Sequence, residues 1–278
     1  MNPFAELSEI IPAGVMQAYV IIMFLLVVGG TLIDVLHKKS AEYFFENAKK
    51  AEAAADKPLS GGEKGSIAVK TIAEDVLTSA EFCNPTRRIA HLLTMYGFVI
   101  FLVSTIVMVF AYASPSAVAP ALWGLLWHIG ALMVCIGGFW FWFFIRVDVA
   151  AEGNPWHRIV RADLFILSLL GTTGFGLLWS VFQGLNSNFL SALFLVLFIA
   201  SSAVLFGGVL WSKFAHMFFK PMAAYQKRIA VADGTMDNLP RPADRTNPED
   251  RDRHSMDLLK DAPLDMGLGI KREQPDHY

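Results

Sequence analysis

Residues 87–113, RRIAHLLTMYGFVIFLVSTIVMVFAYA, decide how the rest of the chain is read. Two arginines and a histidine stand at the edge of an unbroken apolar run, 92–113. That run is long enough to cross a bilayer core, which takes roughly 20 apolar residues. Four further segments share its character: 15–36, 121–145, 164–182 and 189–211. Over 278 residues the chain is 54% apolar and only 17% charged. Charged residues approach about a quarter of an average soluble domain. The expected fold is all-α, a polytopic five-helix transmembrane bundle with a helical loop at 37–91 and a C-terminal tail at 212–278 that is disordered from Arg241 onward.

Orientation follows from lysine and arginine. The stretch 1–14 has neither, nor do the connections 114–120 and 183–188. All 23 basic residues fall in 37–90, in 146–163 or from Lys213 onward. The positive-inside rule puts those three regions in the cytoplasm and the N-terminus outside. Residues 1–14 lack a basic leader region and carry Glu6 and Glu9, and the apolar run that follows is too long for a secretory h-region. No cleavable signal peptide is expected. The two cysteines, Cys83 in the loop and Cys135 inside the third span, form neither a disulfide framework nor an iron–sulfur motif.

In the long loop, Ser60-Gly61-Gly62 reads as a break. A helical pattern of Ile67, Ile72, Val76 and Ala80 follows, which should lie against the membrane or a partner. Asn84-Pro85-Thr86 reads as a turn and N-cap into the second span. Beyond Arg241 the chain is rich in Pro, Asp and Arg, with 11 acidic and 7 basic residues over 229–278. Such a segment buries too little apolar surface to offset its ordering entropy. Its short apolar pieces, 256–259 and 266–270, are either docking points for a soluble partner or parts of a solvated tail.

Four of the seven histidines flank spans at the cytoplasmic end: His37, His91, His157 and His216. Because successive spans reverse direction, all four lie on one face of the membrane. Imidazoles gathered at one depth are what an axially ligated b-type haem requires, although edge histidines can also simply reach toward water. Gly97 and Gly137-Gly138 offer room for a porphyrin, or merely close helix contact. His128 stands alone inside the third span; a quiet packing role between Trp127 and Ile129 is the expected reading, with a hydrogen bond to a neighbouring helix or a quinone carbonyl as the alternative. Asp34 and Asp163 could take up quinol protons; pairing with Lys38 or Arg161 is the expected reading. The aromatic run 139–144 suits interfacial anchoring or the floor of a cofactor pocket.

At Ser212-Lys213-Phe214-Ala215-His216-Met217, and at Arg88-Ile89-Ala90-His91 followed by Met95-Tyr96-Gly97-Phe98, the chain resembles a known group. These segments are similar to those of the membrane cytochrome b subunits of the quinone-interacting oxidoreductase complex and of the nitrate reductase gamma type. The N-terminal start, spaced loop and polar tail look most like the membrane anchors that accompany dissimilatory adenylylsulfate reductase in sulfur-oxidising bacteria. The resemblance covers the five spans, and its specific part is short. It implies an inner haem held by histidines at the positions of His91 and His216, with His157 and His37 in reserve. The outer haem of diheme members needs a histidine about ten residues further into the first helix, and one about five turns before the terminal histidine. Those positions hold Phe101 and Phe198.

The resemblance therefore implies an anchor and electron-transfer subunit with one haem b and no substrate site of its own. It would link soluble flavin and iron–sulfur subunits to the quinone pool, with no nucleic-acid partner. A haem-free anchor for the same enzyme is the alternative. A small transporter is disfavoured by the scarcity of charged groups and broken helices at mid-membrane.

Overall fold

A computed structural model describes residues 2–38, 40–55, 57–80, 82, 84–114, 116–148, 153–212, 216–236, 239 and 247–249; the side chains of 38, 40, 41, 43, 216 and 218 fall outside it. Among the described residues the chain is all-helical. The helices are α1 (Pro3–Leu7), α2 (Ala13–Lys38), α3 (Ser40–Ala53), α4 (Gly61–Thr71), α5 (Pro85–Ala111), α6 (Ala121–Trp140), α7 (Leu164–Gly184), α8 (Asn188–Gly207) and α9 (His216–Ala232). A wider π turn, Ile72–Leu77, extends α4, another, Phe141–Ile145, extends α6, and a 3₁₀ turn, Arg161–Asp163, leads into α7. Five helices, α2 and α5 to α8, are long and apolar enough to cross a membrane.

The span ends differ from the apolar runs where capping overrides hydropathy. Asn84 accepts hydrogen bonds from the amides of Thr86 and Arg87 at 2.9 and 3.3 Å, with Pro85 in the first turn. This cap starts α5 ahead of the expected span, so Arg87, Arg88 and His91 are helical rather than loop residues. The fifth span was expected to run to 211, but α8 stops at Gly207. Gly208 and the turn after it take over the last carbonyls, through Gly208 N–H to Val204 O and Ser212 N–H to Gly208 O, both 2.9 Å. Asn2 caps α1 by accepting from Phe4 N–H at 3.1 Å.

The chain divides into two compact units, 1–45 with 78–220 and 46–77 with 221–278. In the first, α5 packs closely on α6 and α7 on α8, α6 meets α7, and α2 leans on α8 and α5. The α5–α6 pair approaches backbone to backbone. A Cβ on Gly97 would lie 2.7 Å from the Gly130 carbonyl, one on Gly130 2.6 Å from the Phe101 nitrogen, and one on Gly137 2.6 Å from the Ala90 carbonyl. The room expected at Gly97 and Gly137 for a porphyrin is taken up by this contact, the usual use of small residues between spans. Gly138 is likewise closed, by Leu170 at 2.7 Å.

In the second unit, the Arg228 guanidinium forks onto Asp75 (Nε to Oδ2 2.7 Å, Nη2 to Oδ1 3.0 Å) and reaches Glu74 at 2.8 Å. Lys57 N–H donates to Asp233 O at 3.1 Å, and Lys64 pairs with Glu52. Ile229 and Ala230 are buried. Ser60, expected as part of a break, is instead the N-cap of α4, and Gly61 and Gly62 form its first turn. The predicted disordered tail, apart from 247–249, lies outside the described residues beyond 239.

Candidate functional site

His91 sits in the second turn of α5, half-buried. Its Nδ1 lies 3.0 Å from the Ser79 hydroxyl, and its ring packs on Phe82 at 4.9 Å. Ser79 is 1% exposed and has φ 50°, in the left-handed region that a serine enters at a cost of about 1 kcal/mol or more. Arg88 Nε holds the adjacent Thr78 carbonyl at 2.7 Å. Two cations face the Phe82 ring, Arg87 at 5.9 Å and Lys220 at 5.3 Å. His91 thus packs on a ring that two cations face.

Of the other three histidines of that set, two are exposed and the side chain of the third is not described. His37 is exposed at the end of α2, and His157 is exposed in the connection before α7, edge-on to Trp156 at 5.5 Å. The side chain of His216 lies outside the described residues, as does Cys83. Among the described residues, no group of three or more His, Cys, Asp or Glu is placed to hold a metal ion.

Asp163 departs from expectation. Its partner is Arg146, not Arg161: the two side chains are 5% and 0% exposed, with Nε to Oδ1 at 3.1 Å and a second bond from Nη2 to Oδ2. Arg146 also donates to the carbonyls of Asn154, Pro155 and Arg158, and lies 4.3 Å above the Trp142 ring. Within the run 139–144, Trp142 is therefore inward. Phe139 and Phe143 stack outward at 6.1 Å, and Phe144 is exposed. Asp34 is buried, and the side chain of Lys38 is outside the described residues.

His128 bonds a neighbouring helix. Its Nδ1 lies 2.6 Å from Gly124 O and its Nε2 2.9 Å from the Ser180 hydroxyl on α7. Both nitrogens are engaged within the protein, which leaves no nitrogen over for a quinone carbonyl.

Phe101 and Phe198 belong to a packed aromatic cluster. Phe101 lies against Trp127 at 5.0 Å, and Phe198 stacks on Trp179 at 5.7 Å. Phe4 of α1 stands edge-on between the two tryptophans, 6.0 Å from one and 5.4 Å from the other. Both tryptophans are at most 1% exposed. Quadrupole-favoured geometry of this kind adds to the large apolar area each ring buries.

A cavity of about 370 Å³ opens between α1, α2, α5 and α8, within the usual range for ligand pockets. Neither the Ser79–His91 contact nor this cavity was anticipated from the sequence. The first depends on a left-handed turn and the second on how far α2 stands off its neighbours, and no local pattern encodes either.

Compared with family models, curated proteins and solved structures, the chain matches none.

Proposed function

We propose that this chain is a membrane anchor and electron-transfer subunit, joining a soluble cytoplasmic oxidoreductase to the quinone pool through one b-type haem on His91 and His216. The resemblance of the N-terminal start, the spaced loop and the polar tail points to adenylylsulfate reductase as the partner, in a bacterial inner membrane with the N-terminus outside. The setting of His91 carries the reading. A histidine that binds a metal through one nitrogen almost always has the other held by a hydrogen bond, which fixes its tautomer and ring orientation. Ser79 supplies such a contact at Nδ1. When Nδ1 carries the proton, the lone pair resides on Nε2, and neutral imidazole suits iron. The Ser79 contact at Nδ1 is the observation that supports a ligand role for His91. A haem bound there would supply one-electron exchange, while Ser79, Phe82 and the Arg88–Thr78 bond would keep the imidazole in place.

The second reading, a haem-free anchor, draws on different observations. The positions implied for outer-haem ligands are filled by packed phenylalanines, and the glycines of α5 and α6 face each other closely. An absorption spectrum of the purified chain separates the two. The haem reading expects a low-spin bis-histidine Soret and alpha band, lost in His91→Ala and in His216→Ala and kept in His128→Ala. A well-folded chain reconstituted with haem and lacking Soret absorbance would leave the anchor reading alone.

A further inference from the structure

We infer that the cavity between α2 and the α5–α8 face is a binding slot for one acyl chain of a bilayer phospholipid, held beneath the first span. The way α2 is attached leads to this. Near its start, Gln17 Nε2 donates to Val109 O at 3.3 Å, and Tyr19 Oη bonds Ile199 O at 3.0 Å and lies 2.8 Å from Ser202 Oγ. Near its other end, Gly30 lies so close to Val209 that an added Cβ would be 3.0 Å from that residue's own Cβ. Between these pins the helix stands off, and the cavity lies under it, lined by Val20, Met23, Val27, Phe98, Leu102 and Leu195. Exposed Val15, Phe24 and Ile106 on its lining open it sideways, toward the surface a spanning unit turns to lipid.

The polar atoms on the wall fix the ligand class. Tyr19 and Ser202 bond each other and the carbonyls of α8. Thr105 donates to Phe101 O and accepts from Trp127, and Thr172 donates to Ser168 O. Each wall hydroxyl already has its partner, so the slot offers no bond to a headgroup or a quinone ring. It rewards only hydrocarbon. Water would find too few partners there, and an empty slot would forfeit dispersion contacts along its whole wall. A lipid tail entering from the side satisfies both conditions. The inference rests on the five spans and is independent of the haem reading.

The test is native mass spectrometry of the full chain released from mild detergent, with lipid extraction and thermal melting alongside. Val20→Trp fills the slot, and Ile22→Trp, on the exposed face of the same helix, is the control. Wild type and Ile22→Trp are expected to retain a phospholipid, and their melting temperature after delipidation should rise when phospholipid is returned, because a ligand bound only to the folded state stabilises it. Val20→Trp should lose retained lipid several-fold and show no such rise. If Val20→Trp does not fold, Leu195→Phe, a smaller intrusion, replaces it. Retention of no long-chain molecule by wild type, retention of an isoprenoid quinone in place of phospholipid, or equal phospholipid retention in the filled and control variants would each overturn the assignment.

Discussion

At Arg146 all five N–H groups of one guanidinium find acceptors: two on Asp163 and three on the carbonyls of Asn154, Pro155 and Arg158. The side chain is fully buried, so this completeness compensates for the water it gives up. Removing one partner strands the other. Asp163→Ala is expected to cost about 3–5 kcal/mol in unfolding free energy, read by denaturant or thermal unfolding in detergent. Arg146→Lys should recover little of the native stability, since a lysine presents three donors from one point and cannot span the fork. A near-native melting temperature for Asp163→Ala would show that the clamp is dispensable. The sequence advertised Asp163 and its neighbour Arg161, but a partner 17 residues away, across a connection, has no local signature. His91 behaves alike: its span-edge position was legible, whereas Ser79 acts through a left-handed turn. Ser79→Ala is expected to leave the fold intact and to shift any haem band that depends on His91.

Among the elements, α4 starts at a stretch expected as a break, and its cap explains why. Ser60 and Glu63 form a reciprocal box: Glu63 N–H donates to Ser60 Oγ at 3.3 Å, while Ser60 N–H donates to Glu63 Oε2 at 2.8 Å. Two glycines in the first turn disguise a capping signature that the Ser-x-x-Glu spacing does carry. The Ser60 amide, then its hydroxyl and Lys57, pull the Glu63 carboxyl down to about 2. A folded-state value below the ordinary carboxylate range means the box contributes fully above about pH 4.3 and is lost as the pH falls toward the lowered value. In carboxyl-resolved NMR of the full chain, Glu63 should titrate at about 2, and Ser60→Ala should raise it. An ordinary wild-type titration would remove the box. The spans themselves were legible because length and apolarity alone define a membrane helix. The cap at Asn84 was legible as well, whereas the stop at Gly208, made by backbone hydrogen bonds alone, was not. At the α5–α6 contact, Gly130→Val should separate the helices and lower the melting temperature markedly, whereas Ile129→Val on the exposed side should be neutral.

For the molecule as a whole, every lysine and arginine lies in 37–90, in 146–163 or from 213 onward. The expected outcome is an active C-terminal GFP fusion and an inactive alkaline phosphatase fusion; the reverse pattern would invert the proposed orientation. The second unit sets where a truncation is informative. Ile229, Ala230 and Asp233 are 7%, 2% and 3% exposed, so a cut after Arg228 removes packed residues along with the tail. Truncation after 240 should preserve protease resistance of 46–77, and truncation after 228 should abolish it. Equal resistance in both would mean that those buried residues do not hold the unit together.

The aromatic cluster also sets an order of events during synthesis. Phe4 leaves the ribosome before Trp127 and Trp179, the two rings that enclose it, have been made. The Pro3 carbonyl likewise waits for Gln183, 180 residues later, and Asn2 for Tyr112, 110 residues later. Closing contacts over such separations carries a loop-closure cost that shorter hairpins avoid. The helix hairpins α5–α6 and α7–α8 can therefore form as each is translated, while α1 remains an undocked hydrophobic end until most of the bundle is in place. Throughout that interval Phe4 and Leu7 are open to chaperones, proteases and wrong partners.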